Sequence, residues 1–276
     1  MIWVNGLMVD HKTQVRIDDR GFLLGEGVFE TIALRNNDIC HWQAHWSRLL
    51  RGLKYFGIDC QYSEAEIATA VKEAVRLNLK EEHHGTIRIS VSSGAGGRGL
   101  APATNGPANW VIQVSPHTES KQLISMAETH ILRPSQNPTS LYKTLSYADN
   151  IMARRLSAAD EVFFFNEHGR VACAAAGNIF ILFNDQLITP PCNEGTLNGI
   201  VRQVMLEKGI ISNAMSREAP ISRDDMRQAD AIFVTNSLIG AQSVQALMLK
   251  NEAPIKKGSP RAAEILLTIR KLAFNS

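Results

Sequence analysis

Lys143 is the residue of this chain best placed for covalent chemistry. It lies in Leu141-Tyr142-Lys143-Thr144-Leu145-Ser146-Tyr147, a mostly apolar and polar-neutral run with no acidic partner close in sequence. A lysine in such company is a candidate for a lowered pKa and a nucleophilic amine, of the kind that forms Schiff bases. Arg98, in the loop Gly94-Ala95-Gly96-Gly97-Arg98-Gly99, could fork its guanidinium onto a substrate carboxylate. The same run formally matches GxGxxG after a strand, but Pro102 and Pro107 follow where a dinucleotide site needs a helix. Leu197-Asn198-Gly199-Ile200-Val201-Arg202 precedes an amphipathic stretch. Free N–H groups at such a helix start, beside a glycine, suit a phosphate, and Asn198 alternatively reads as a simple N-cap. His41 and His45 share a spacing of four, but Trp42 stands where a zinc motif needs glutamate, so both read as structural. Asp18-Asp19 and Asp224-Asp225 read as solvated turn or cap residues.

These residues need a scaffold, and the pattern of the chain outlines one. Ile2-Trp3-Val4 and Leu7-Met8-Val9 flank Asn5-Gly6, a strong hairpin signal. Trp46, Leu49, Leu50, Leu53 and Phe56 fall on one face of a helix over 44–56 that stops at Gly57. Ser63 and Glu66 form a capping box opening a helix to about Leu79. Strands are expected over 86–92, 110–114, 161–165, 179–183 and 231–235, and helices near 148–159, 198–208 and 262–272. The mixture implies an α+β (mixed α/β) chain in two halves: residues 1–115, a polar linker over 116–122, and residues 123–276.

Of the 276 residues, 45% are apolar and 20% charged, ordinary for a soluble globular protein long enough for two cores. The net charge of +2 comes from scattered residues, which argues against a nucleic-acid or anionic-membrane surface. No apolar run approaches the ~18 residues of a membrane span. The N-terminus lacks a basic head and apolar core, and the four cysteines form no CxxC pair, so a cytoplasmic setting without a structural metal is expected.

Taken together, the segments resemble the fold-type IV pyridoxal-phosphate enzymes, namely D-amino-acid and branched-chain aminotransferases and aminodeoxychorismate lyase. Asp19-Arg20-Gly21-Phe22-Leu23-Leu24-Gly25-Glu26-Gly27-Val28-Phe29-Glu30 is similar to that family's D-R-x-x-x-x-G-[DE]-G-[VC]-[FY]-[ET] segment, and His45-Trp46-Ser47-Arg48-Leu49 to its H-x-x-R-L. Lys143 falls at the Schiff-base lysine. The resemblance implies pyridoxal 5'-phosphate as cofactor, with its phosphate on Arg48, the backbone at Ile200 and Val201, and Ser237. It also implies a smaller N-terminal α/β domain, a larger C-terminal domain with a barrel-like sheet, and a homodimer.

The family pattern T-E-x-x-x-x-N, whose glutamate bonds the pyridine nitrogen, ends here at Asn178 and places Cys173 at the glutamate. A neutral thiol supplies no charge to hold that nitrogen protonated, and an apolar surround disfavours a thiolate. Transamination should suffer most from this.

Ser93-Gly94-Ala95-Gly96-Gly97-Arg98-Gly99 resembles the lyase loop R-G-S-G-G-R-G, Leu197–Gln203 resembles V-N-G-I-M-R-Q, and Phe29 stands where D-amino-acid aminotransferases carry tyrosine. The expected activity is therefore elimination of pyruvate from 4-amino-4-deoxychorismate to give 4-aminobenzoate for folate synthesis. Lys143 would move the proton, Phe29 would line the substrate site, and Arg98 would take a carboxylate. The alternatives are a D- or branched-chain aminotransferase, and a cofactor-binding homologue that has lost catalysis.

Overall fold

The computed structural model describes residues 1–80, 82–97, 99–101 and 106–274. They form two compact units: Met1–Thr118 with Tyr142–Ser146, and Glu119–Leu141 with the chain from Tyr147 onward.

The first unit is built from β1 (Ile2–Val4), β2 (Leu7–Val9), α1 (Arg20–Leu24), β3 (Gly27–Arg35), β4 (Asp38–Ile39), α2 (Trp42–Phe56), α3 (Glu64–Leu79), β5 (Gly85–Ser92) and β6 (Asn109–Pro116). Its sheet is antiparallel throughout, in the order β2-β1-β6-β5-β3-β4. Asn5 and Gly6 both take positive φ (48° and 97°), as the expected hairpin demands. The Ser63–Glu66 capping box is present, and α2 ends at Gly57 in the left-handed conformation.

Strand periodicity divides this sheet into two faces. Val28, Ile32 and Leu34 of β3 and Ile87, Ile89 and Val91 of β5 share a buried core with Leu49 and Leu53 of α2 and Ile67 and Val71 of α3. Phe29 and Thr31 of β3, with Arg88 and Ser90 of β5, alternate onto the other face.

The second unit contains β7 (Leu123–Glu128), α4 (Pro138–Leu141), α5 (Ala148–Arg155), β8 (Glu161–Phe165), β9 (Val171–Ala174), β10 (Asn178–Phe183), β11 (Gln186–Thr189), α6 (Ile200–Lys208), β12 (Ile210–Ile211), β13 (Ala214–Glu218), α7 (Arg223–Gln228), β14 (Ala231–Asn236), β15 (Gly240–Met248), β16 (Ile255–Lys256) and α8 (Pro260–Phe274). The strands make one curled, half-barrel sheet, ordered β12-β13-β11-β10-β14-β15-β7-β8-β9, with β16 beside β15. The fold is thus mixed α+β, as expected. Phe180, Leu182 and Phe233 bury one face under α6 and α8, while Ile179, Ile181, Ile232 and Val234 bury the other.

Two details depart from expectation. The helix near 148–159 stops at Arg155. The next long helix starts at Ile200 with Gly199, not Asn198, as its N-cap, and no side chain caps it. Among the described residues, no helix is long and apolar enough to cross a membrane.

Candidate active site

Lys143 belongs to the first unit, where residues 142–146 form a strap against β3. The Phe29 N–H donates to the Lys143 carbonyl at 2.9 Å, and the Leu145 N–H donates to the Gly27 carbonyl at 2.9 Å. Gly27 is required by this approach: a Cβ there would lie 2.3 Å from the Val91 oxygen and 2.7 Å from Leu145 Cδ1. The strap sets Lys143 Nζ 4.3 Å from the centre of the buried Phe29 ring, and Arg88 Cζ lies 3.9 Å from the same centre. An amine and a guanidinium therefore share one aromatic ring on the face of the sheet that α2 and α3 do not cover, an arrangement that suits an amino acid or other amino carboxylate.

Arg88 was not singled out in the sequence; its alternation with Ile87 and Ile89 was the available signal. Arg98 lies outside the described residues. Arg20, buried at the start of α1, donates to the carbonyls of Gly97 and Gly99 and so ties down the loop on either side of it.

On the helix-covered face of the sheet, Glu30 is fully enclosed and receives Arg48 Nε at 2.7 Å, Arg48 Nη2 at 2.6 Å and His45 Nδ1 at 2.6 Å. Burial alone would raise the Glu30 pKa, but the Arg48 guanidinium, helped by His45, brings it down to about 2. Burial pushes His45 below the usual histidine value, so its ring is neutral near pH 7 and Nδ1 donates. Two donors of Arg48 are thus committed to a carboxylate, which holds the guanidinium rigid. Asp19, expected as a solvated turn or cap residue, does cap α1 through the Phe22 N–H but is buried, and it accepts from Ser92 Oγ at 2.7 Å.

In the second unit Asn178 orders the loop before α6. Its Nδ2 donates to Thr196 Oγ1 at 3.1 Å and to the Leu197 carbonyl at 2.8 Å. Gly199 passes so close that a Cβ would sit 2.0 Å from Asn178 Oδ1. The helix start at Ile200 and Val201 thereby keeps N–H groups that no side chain satisfies. Thr235, paired with Asn178 across β10 and β14, has a wholly buried hydroxyl with no hydrogen-bond partner. It lies on the same strand face as Phe233, which packs with Val201 of α6. Ser237 sits in the β14–β15 turn, which Asn236 holds by accepting from the Leu238 and Ile239 N–H groups. A bare helix start beside an orphaned hydroxyl fits a phosphate.

Cys173 occupies a β-bulge. Val171 pairs with Phe165 and Ala174 with Phe163, so Ala172 and Cys173 together oppose Phe164. Both join the apolar cluster of Val162, Phe164 and Ala153. Burial pushes the thiol pKa up, against the pull of the nearby Arg133 guanidinium, which favours the neutral thiol.

Each unit by itself holds groups that suit pyridoxal phosphate: a lysine amine beside an aromatic ring in the first, and in the second a helix start with unsatisfied N–H groups and an unpartnered hydroxyl. Comparison with known proteins agrees. A model of amino-transferase class IV matches residues 27–247. A Methanocaldococcus jannaschii protein provisionally named a branched-chain-amino-acid aminotransferase is 30% identical, over 86% of this chain and 84% of its own. Aminodeoxychorismate lyase of Bacillus subtilis is 28% identical, over 87% and 84%. The crystal structure of a branched-chain aminotransferase from Thermoproteus uzoniensis, with norvaline, superposes with a TM-score of 0.87 at 25% identity, covering 99% of this chain and 94% of that one. The chain belongs to the class IV aminotransferase family, whose members are pyridoxal-phosphate enzymes working as aminotransferases or lyases.

Proposed function

We propose that this enzyme is a pyridoxal-phosphate lyase acting on 4-amino-4-deoxychorismate, releasing pyruvate and 4-aminobenzoate. The observation that carries this reading is the pair of cations on the Phe29 ring, an amine and a guanidinium 4.3 Å and 3.9 Å from its centre. They offer a base and a carboxylate receptor beside an apolar ring, which suits an aromatisable amino carboxylate. Cys173 supports the choice between activities, because elimination that forms an aromatic ring supplies its own driving force. The relatedness to the Bacillus subtilis lyase points the same way.

When bound, the cofactor draws electrons from the substrate carbon skeleton and acidifies its C–H bonds. The Lys143 amine would hold the cofactor aldehyde and later accept and return the proton. Arg88, with Arg98, would orient substrate carboxylate groups, and Phe29 would exclude water from the face of the substrate. The N–H groups of Ile200 and Val201 and the hydroxyls of Thr235 and Ser237 would take the phosphate. Arg48, held by Glu30, and Asn178 would support that seat.

The second reading, a branched-chain aminotransferase, is favoured by the 30% identity to the archaeal relative. Incubating the loaded enzyme with 4-amino-4-deoxychorismate, and separately with branched-chain amino acids or D-alanine and a keto acid, distinguishes them. Equal amounts of 4-aminobenzoate and pyruvate are expected, with keto-acid exchange slower by at least tenfold; the reverse ratio makes it an aminotransferase. A homodimer and a cytoplasmic setting are part of the same proposal, and sedimentation should give twice the 30.5 kDa chain mass.

A further inference from the structure

The pyridine-nitrogen position of this chain carries more than a missing carboxylate. The bulge in β9 turns Cys173 onto the face that also holds Phe164, and Arg133 stacks its guanidinium over that ring, 5.0 Å from its centre. Arg133 is held there by Asn150, whose Oδ1 accepts from Nη2 at 2.7 Å, and Asn150 is itself fastened to the Ala175 carbonyl at 2.7 Å. The guanidinium and Cys173 thus both lie against Phe164, and the Arg133 charge pulls down a thiol pKa that burial raises.

Among the described residues, Glu161 of β8 also acts on this thiol and raises its pKa. Glu161, buried on β8, has one carboxylate oxygen bound by the Val162 N–H at 2.8 Å and lies 3.8 Å from Arg154 of α5. Burial raises the Glu161 pKa against the pull of backbone N–H groups and Arg154, whereas the described partners of the Arg133 guanidinium are the neutral Asn150 and Phe164.

We infer that Arg133 and Cys173 together form a seat for an unprotonated pyridine nitrogen, with Arg133 as the positioning charge and the Cys173 thiol as the contacting donor. The proposal rests on the pyridoxal-phosphate reading above. A carboxylate at this place attracts a proton to the ring nitrogen, while a guanidinium repels one. A cation this close opposes a second positive charge by roughly one to three pH units. The S–H group can still donate a weak hydrogen bond to the nitrogen lone pair. The ring nitrogen is then bound as a neutral acceptor throughout the neutral pH range. Reactions that depend on a strongly electron-withdrawing ring are slowed, and those with their own driving force survive.

The test is the ¹⁵N chemical shift of the enzyme loaded with ring-¹⁵N pyridoxal phosphate, read without substrate. The free-base shift is expected for the wild type, unmoved between about pH 6 and pH 9. Cys173→Glu should move the signal to the pyridinium position. Arg133→Met should make it titrate, with its midpoint raised by roughly one to three pH units. Cys173→Ser, the milder change, should leave it at the free-base position. A pyridinium shift in the wild type, or no response in Cys173→Glu and Arg133→Met variants that still bind cofactor, overturns the inference while leaving the pyridoxal-phosphate reading intact. A protein that takes up no cofactor at Lys143, judged by borohydride fixation, overturns both.

Discussion

Individual side chains here are defined by what encloses them. Lys143 is set by the two backbone hydrogen bonds that dock its strap on β3, and its amine reaches the Phe29 ring. Lys143→Ala should abolish borohydride-fixed cofactor and lower kcat by at least about 100-fold, the range for loss of a positioned acid–base group. Arg88→Gln should raise KM by roughly 10- to 100-fold with a smaller effect on kcat, since one charge-assisted contact contributes about 1.5–3 kcal/mol. Glu30 makes a prediction about stability. Its pKa falls from 4.5 to about 2 on folding, so it contributes stability above pH 4.5 that is lost as pH drops towards 2. The shift corresponds to on the order of 3 kcal/mol. Glu30→Gln, which leaves Arg48 buried without its carboxylate, should cost about 3–5 kcal/mol near pH 7. Urea unfolding near pH 7 and near pH 3 should show the two proteins converging at the lower pH; a constant gap would mean that Glu30 is not the titrating group.

Elements place these side chains through close backbone approaches. Gly27 admits the Lys143 strap to β3, and Gly199 admits Asn178 to the start of α6. Gly199→Ala puts a Cβ against Asn178 Oδ1 and should displace the helix start, weakening cofactor affinity far more than global stability. Titrating the apoprotein with pyridoxal phosphate, monitored by absorbance, should show at least a tenfold rise in Kd; an unchanged Kd would remove α6 from the phosphate seat. Thr235→Val keeps the shape and removes only the orphaned hydroxyl. About 1 kcal/mol for one neutral hydrogen bond predicts roughly a fivefold weaker Kd and, with no partner lost in the apoprotein, little change in apoprotein stability. The bulge in β9 works similarly for Cys173, because one additional residue turns a strand side chain onto a neighbouring face.

For the molecule as a whole, each unit has its own sheet and buried core. Cofactor that binds only the folded chain adds stability by mass action, about 2.7 kcal/mol at a hundredfold excess over Kd. For a chain of this size that is a rise in Tm of roughly 5–10 °C, and removing the cofactor should reverse it. Calorimetry of loaded and stripped protein measures this directly. No shift on loading would mean that the cofactor binds the folded and unfolded chain alike.

Much of this protein was legible in its residues because the signals are local. Hairpin turn chemistry at Asn5-Gly6, the Ser63–Glu66 capping box and the periodicity of α2 each act over a few residues, and each appears where read. The segments around Lys143, Asn178, Gly199 and Ser237 were recognisable in order, and Cys173 was visible as a departure by counting back from Asn178. β3 was legible only as a motif: it is buried on nearly every residue, so the alternation that marks a strand is absent. Arg133 carried no local mark and Arg88 only its alternation with Ile87 and Ile89, since a guanidinium gains its role from what stands beside it. Asp19 looked like a surface acid for the same reason. The sequence by itself determined the family and marked the lysine and the segments proposed to bind phosphate, because turn, cap and glycine chemistry is written residue by residue. Only the tertiary structure decided that Arg88 meets Lys143 at the Phe29 ring and that Arg133 stands behind Cys173. Those pairs are far apart in the chain, and their juxtaposition comes from strand register, a bulge and the docking of a strap.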